Sequence, residues 1–109
     1  MRRVIDGKYS AFVAAHTLPT IFYYINRDEH VSKAKEFIRS LLNWIEVLPL
    51  DHASTCIALE SEMEDFEDAL IDVCALSQGM DIIITGNIPD FVSAKIPAFT
   101  ASEFLKKYE

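Results

Sequence analysis

Carboxylates crowd the start of one apolar segment of the chain. Residues 64–72 (EDFEDALID) contain five acids, and the apolar residues that follow are spaced as in a helix buried on most sides. On a helical wheel, Asp65, Asp68 and Asp72 share one narrow arc. A carboxylate beside so much apolar surface must be paired, hydrogen-bonded, solvated in a cleft or bound to a metal ion.

Each of these acids also has an ordinary structural explanation. Asp65 can cap the N-terminus of the helix, with Asp68 three residues on completing a capping pair. Acids in a first turn also favour the helix dipole. Asp72 lies a turn deeper, where no cap needs it, and can simply face solvent or a basic side chain. The pattern alone leaves both explanations open.

A second group of oxygen-bearing side chains follows an apolar, β-branched run. DIIIT (Asp81–Thr85) is typical of a fully buried parallel strand. Ligands gather at the carboxyl ends of such strands, where Thr85, Asn87 and Asp90 would stand. Oxygen ligands from several loops suit Mg²⁺ or Mn²⁺, with waters completing the shell. Alternatively, Asn87 caps a short turn and Asp90 is a solvated loop acid.

Helices and strands alternate along the rest of the chain, which predicts the α/β class with a mainly parallel sheet. We expect Thr17 and Asp51 to cap helices and Gly79 to stop one. The aromatic residues Phe12, Phe22, Tyr23 and Tyr24 most simply fill the core, and base stacking on them would need exposure. The predicted strands are 8–15, 45–50, 81–85 and 96–100, and the predicted helices are 16–27, 30–44, 51–61, 64–79 and 101–108.

Composition restricts the class of protein. The 109 residues suffice for a single domain, 1–109, and their apolar fraction of 50% is ordinary for a globular protein. The net charge of −7 argues against broad, non-specific binding of nucleic acid and suits a basic partner. No secretion signal or membrane span is recognisable. The two cysteines are expected to be buried thiols in a reducing cytoplasm, and without a Cys/His cluster we expect no zinc site.

The segment DFEDALIDVCALSQGMDIIITGNIPDF (Asp65–Phe91) resembles the PIN-domain family. The shared pattern is an acid leading an Ala-rich helix, a glycine, an apolar strand ending in Thr, and a short turn closed by Asp-Phe. IPAFTASEFL (Ile96–Leu105) resembles the common close of bacterial PIN proteins. AAHTLPTIFYYI (Ala14–Ile25) resembles the second strand and following helix of one bacterial subgroup. The resemblance thus covers nearly the whole chain.

The resemblance implies a Rossmann-like α/β/α sandwich, here truncated at its N-terminus, and a Mg²⁺- or Mn²⁺-dependent ribonuclease of the toxin–antitoxin type. In the family, three or four acids hold metal ions that orient a phosphodiester and generate the attacking hydroxide. By that resemblance Asp68 and Asp90 are the catalytic acids, and Asn87 joins them as a metal ligand. The residues that could support this site are Asp65, Asp72, Thr85 and Asp6.

The chain departs from the family pattern at its start. Only seven residues precede Lys8, where the family has an opening strand ending in Asp and about two helices. Asp6 is a candidate for the first acid, with an acid at a helix end as the other explanation. The family's second acid falls near Thr20, whose hydroxyl replaces a charge poorly. A reading frame that starts upstream would explain the shortening. Without a central opening strand the sheet would leave unpaired edges, so we expect a homodimer or a domain-swapped assembly.

Two hypotheses of different classes follow. The first is a metal-dependent ribonuclease, or its degenerate remnant, with RNA as substrate and a cognate antitoxin as partner. The second is a catalytically inactive PIN-like module that dimerises or binds a protein partner. A third carboxylate beside Asp68 would distinguish them. A flavodoxin-like phosphate binder is disfavoured, because the chain has three glycines and no Gly-rich phosphate loop.

Overall fold

The computed structural model describes residues 9–108, in which helices alternate with short parallel strands. The predicted α/β class is confirmed. None of the described helices combines the length and apolar character needed to cross a bilayer. The chain divides into two compact units, with the boundary in the sequence between Pro49 and Leu50, and each is described by itself. The elements are β1 (Phe12–Ala14), α1 (Thr17–Asp28), α2 (Val31–Leu41), β2 (Glu46–Leu48), α3 (His52–Leu59), α4 (Phe66–Ser77), β3 (Ile83–Ile84), a 3-10 turn (Ile88–Phe91), β4 (Ala98–Phe99) and α5 (Ala101–Tyr108).

The first unit contains β1, α1, α2 and β2. The strands β1 and β2 pair in parallel, with Phe12 opposite Glu46 and Ala14 opposite Leu48. Because parallel strands need a crossover, the helical hairpin α1–α2 makes the connection between them. The buried apolar residues of this unit are Ala14, Ala34 and Leu48.

Two expectations for α1 were wrong. Thr17 is its first helical residue rather than its cap, and His16 holds the cap position without a side-chain cap bond. Tyr23 and Tyr24 are 59% and 52% exposed rather than buried. Successive helical residues turn by about 100°, so Tyr23 lies opposite the half-buried face that carries Ile21 and Ile25, and Tyr24 lies at the side of that face.

The second unit has a core built around α4 and the strands that follow it. Its strands β3 and β4 pair in parallel, with Ile83 opposite Ala98 and Ile84 opposite Phe99. Ile83 is buried, whereas Ile84 is 51% exposed, so the expectation of a fully buried strand was wrong for its second residue. The buried cluster comprises Ala58, Met63, Ala69, Leu70, Val73, Ala75, Ile83, Phe91 and Ile96.

Helix α4 buries the middle of its predicted apolar face and exposes the ends. Phe66 and Leu76, in its first and last turns, are 44% and 53% exposed. Gly79 ends the helix as predicted, with a φ of 72° that only glycine adopts at little cost. The N–H of Met80 donates to the carbonyl of Ala75 at 2.9 Å, which closes a Schellman motif.

Helix α3 begins with the predicted cap. The Asp51 carboxylate accepts from the N–H of Ser54 at 2.8 Å, and this hydrogen bond holds the pKa of Asp51 below its ordinary value. Burial, and then the negative charge of Asp51, raise the pKa of the Cys74 thiol. Cys74 is therefore the buried cysteine that the sequence predicts. Cys56 is exposed, which corrects the expectation that both thiols are buried.

Candidate functional site

Asp65 and Asp68 lie at the N-terminal end of α4. Asp65 is the cap residue, and its Oδ1 accepts from the N–H of Asp68 at 2.9 Å. The predicted capping role of Asp65 is confirmed. Asp68 lies in the first helical turn, half-buried, with Glu67 beside it. The helix N-terminus therefore has two further carboxylates where the dipole favours negative charge.

Asp72 has a different environment from the one expected. Its side chain is 3% exposed rather than solvated, and the hydrogen bonds that hold it come from the backbone. Its Oδ2 accepts from the N–H of Lys95 at 2.8 Å, and its Oδ1 accepts from the N–H of Ile96 at 3.0 Å. Both carboxylate oxygens are thus engaged by the backbone that leads into β4. Hydrogen bonds to an ionised group are stronger than neutral ones, which allows a carboxylate to lie among apolar residues.

The Asp72 clamp, meaning Asp72 with its two backbone donors, fixes the start of the β3–β4 ladder. Pro97 follows the clamped residues directly, and its carbonyl accepts from the N–H of Ile83 at 3.0 Å. One residue beyond β3, the N–H of Thr85 donates to the carbonyl of Phe99 at 3.0 Å. The clamp therefore sets the position of the segment in which Thr85, Asn87 and Asp90 lie.

A network of short-range hydrogen bonds organises the turn after β3. Thr85 Oγ1 accepts from the N–H of Asn87 at 3.1 Å. Asn87 Nδ2 donates to Asp90 Oδ2 at 2.8 Å. The N–H of Asp90 donates in turn to the carbonyl of Asn87 at 3.2 Å. Asn87 and Asp90 are both exposed, so the network presents an oriented carboxylate to solvent at the carboxyl end of β3.

The donors present only partly fit the divalent cation that the resemblance implies. Carboxylate and amide oxygens are the right chemistry for Mg²⁺ or Mn²⁺. Between residues 9 and 108, however, no three His, Cys, Asp or Glu side chains gather as metal ligands. Asp65 uses an oxygen in capping, and Asp72 uses both in its clamp. The described acids do not by themselves make a metal centre, and we derive no catalytic step through one.

The sequence also named Asp6 and Thr20 as the positions of the family's first two acids. Asp6, the candidate for the first acid, lies outside the described residues. Thr20 lies in α1, in the first unit, whereas the other candidates all belong to the second.

Sequence reasoning missed the role of Asp72 as an anchor for the backbone. A signal was present, because Asp72 lies beyond the first turn, next to Val73 and Cys74. An acid there needs donors, but the donors come from residues 23 and 24 positions away. Local periodicity cannot identify partners at that separation.

Comparison with known proteins supports the resemblance. A model of the PIN domain matches residues 1–89, a range that includes Asp68 and Asn87 and stops one residue before Asp90. Ribonuclease VapC1 of Aquifex aeolicus (strain VF5) is 25% identical over 113 residues, which cover 99% of this chain and 77% of that protein. No solved structure gave a significant match. The matched family model spans more than half of the residues, and the chain belongs to the PIN-domain family.

Proposed function

We propose that this protein is a PIN-domain ribonuclease of the toxin–antitoxin type that acts with Mg²⁺ or Mn²⁺. The proposal is supported by the family match and by the similarity to a protein named a ribonuclease. The single observation that carries it is the oriented pair at the carboxyl end of β3, where Asn87 Nδ2 holds Asp90 Oδ2 at 2.8 Å. That is the edge of a parallel ladder at which ligands bind in α/β folds.

In this proposal Asp68 and Asp90 are the acids of the site, and Asn87 acts chiefly by positioning Asp90. A hydrogen bond from an amide restricts the carboxylate to one orientation and leaves its other oxygen for a cation or a bound water. Thr85 supports the turn by accepting from the backbone of Asn87. Asp72 is assigned to a scaffold role, because both of its oxygens accept from backbone N–H groups. Asp65 is assigned to capping α4 through its Oδ1.

The small number of candidate acids in the site favours a second candidate function. With two acids, Mg²⁺ binds weakly unless a substrate phosphate adds ligands, and the described residues provide no cluster of three. An inactive PIN-like module that binds a protein partner is the corresponding alternative. The ribonuclease requires Asp6 or an RNA phosphate to complete the set of metal ligands, whereas the inactive module does not.

RNA is the proposed substrate class. The exposed rings of Tyr23 and Tyr24 offer faces on which bases can stack, and the Arg27 guanidinium lies 5.1 Å from the centre of the Tyr24 ring. The net charge of −7 disfavours non-specific RNA binding and favours a basic antitoxin segment as the protein partner.

A homodimer is also part of the proposal. Among the described residues both ladders have two strands, so every strand has an edge that can pair with another chain. Val47 and Ile84 are 40% and 51% exposed on these strands. Light scattering at micromolar concentration is expected to give twice the mass of the chain, and a monomer would refute this part of the proposal.

Mn²⁺ titration by calorimetry, together with RNA cleavage in Mg²⁺ or Mn²⁺, tests the ribonuclease assignment. We expect saturable binding and cleavage that Asp68→Asn and Asp90→Asn abolish. Asp81→Asn, which changes an exposed carboxylate just before β3, is the matched control and should leave both unchanged. Circular dichroism establishes that each variant is folded.

The same experiment separates the two functions. Binding and cleavage that survive in Asp68→Asn and Asp90→Asn would refute the assigned acids. A folded protein that neither binds Mn²⁺ nor cleaves RNA would favour the inactive module.

A further inference from the structure

Helix α3 presents two metal-binding side chains one turn apart on its exposed face. His52 and Cys56 are separated by four residues and therefore lie above one another. Both are exposed, and Cys56 Sγ lies 3.6 Å from His52 Nε2. Neither residue takes part in the proposed ribonuclease site.

The distance between these two atoms is the one that a shared tetrahedral metal ion would require. Zinc binds thiolate sulfur at about 2.3 Å and imidazole nitrogen at about 2.0–2.1 Å. At a tetrahedral angle, those bond lengths place the sulfur and the nitrogen about 3.5–3.6 Å apart. The observed separation also suits a thiol–imidazole hydrogen bond in the metal-free protein. The two side chains are therefore already at the separation that binding one cation in place of the proton would require.

We propose that His52 Nε2 and Cys56 Sγ together bind a soft divalent cation of the Zn²⁺ class, with water in the remaining coordination positions. Thiolate and imidazole select such ions, whereas carboxylate and amide oxygens select Mg²⁺ and Mn²⁺. The site therefore differs in ion preference from the one proposed around Asp68 and Asp90. No third His, Cys, Asp or Glu joins the pair within the described part of the chain, which leaves open positions for water.

Accessibility distinguishes Cys56 from the other cysteine. Cys74 is buried, and burial raises the pKa of its thiol, so it is poorly suited to become the thiolate that a metal needs. Cys56 is exposed and gives up its proton to solvent when the sulfur–metal bond forms. Occupancy would link two successive turns of an eight-residue helix and would withdraw the thiol from oxidation. The site does not depend on the proposed ribonuclease function.

Titration of the full chain with Co²⁺ or Cd²⁺ tests the proposal, because a thiolate bound to either ion gives a charge-transfer absorption band. We expect a saturable band that Zn²⁺ displaces. Cys56→Ser should abolish the band, and His52→Gln should weaken binding by at least the roughly 10–100-fold that substitutions in the outer shell of a metal site cost. His30→Gln changes another exposed histidine and is the matched control, with unchanged binding expected. The substituted side chains are exposed, so the variants should fold, which circular dichroism checks.

The stoichiometry and the variants give clear results in either direction. One ion per chain, with the band lost in Cys56→Ser, supports the proposal. Absence of a thiolate band, or equal binding in Cys56→Ser and His52→Gln, would overturn it. One ion per two chains, together with a doubled mass, would mean that the ion is shared by the His52–Cys56 pairs of two copies. That result would overturn the assignment of water to the open coordination positions.

Discussion

Replacing Asp72 with alanine is expected to destabilise the second unit by about 2–5 kcal/mol. The carboxylate is 3% exposed and accepts from the N–H groups of Lys95 and Ile96 at 2.8 and 3.0 Å. A buried donor left without an acceptor costs about 1–3 kcal/mol. The donor of Ile96 is buried, whereas that of Lys95 is only partly buried and regains some hydration. The loss is large beside the roughly 5–15 kcal/mol by which proteins are stable.

Asp72→Asn provides an intermediate step, because the amide keeps one oxygen as an acceptor while its NH₂ opposes the other donor. We expect a loss of about 1–3 kcal/mol for asparagine. Urea unfolding followed by circular dichroism measures both values, and Asp81→Ala and Asp81→Asn are the matched controls. Surface substitutions of that kind stay within about 0.5 kcal/mol. Hydrogen exchange should show faster exchange at the Lys95 and Ile96 amides. Equal urea midpoints for Asp72→Ala and Asp81→Ala would refute the clamp.

Three further outcomes follow from the second unit. The hydrogen bond from Ser54 lowers the pKa of Asp51, so the ionised carboxylate stabilises the fold fully above about pH 4 and this stabilisation is lost as pH falls further. Asp51→Asn should therefore flatten the dependence of the urea midpoint on pH in that acid range. An unchanged slope would contradict this expectation. Asp65→Ala should lower the free energy of unfolding by about 1 kcal/mol, because the α4 cap is lost. Asp65→Ser should keep most of the stability, because serine also caps helices. Similar urea midpoints for the two variants would argue against capping. A colorimetric thiol reagent should modify Cys56 rapidly and Cys74 only on unfolding, because Cys74 is buried with a raised pKa; two equally fast thiols in the folded protein would exclude this.

Local features of the sequence predicted the parts of the site that depend on neighbours in the chain. Asp51 and Asp65 cap helices as expected, because a cap bonds to an N–H three residues on. Gly79 ends α4 because its positive φ is a local requirement. The family resemblance was likewise visible in the order of short segments, and the family match confirms it. The roles of Asp68, Asn87 and Asp90 in chemistry remain predictions.

Exposure was predicted less well, because it depends on what covers a face rather than on the face itself. Tyr23 and Tyr24 were expected in the core, but both are more than half exposed, Tyr23 opposite the half-buried face of α1 and Tyr24 at its side. Phe66 and Leu76 belong to the apolar pattern of α4, but they lie at its ends, beyond the buried cluster. Periodicity predicts which side of a helix is apolar, but how far each residue on that side is buried depends on the elements that pack against it.

The sequence by itself determined the α/β class, the caps of α3 and α4, the end of α4 and the family, because each depends on the order of nearby residues. Within the acidic stripe, the cap formed by Asp65 is likewise local. Tertiary structure alone decided the role of Asp72, which binds backbone donors 23 and 24 residues away. The distance between the His52 and Cys56 side chains was likewise fixed by their rotamers. A sequence pattern gives the direction of a side chain, and only the folded chain provides the donors that it meets there.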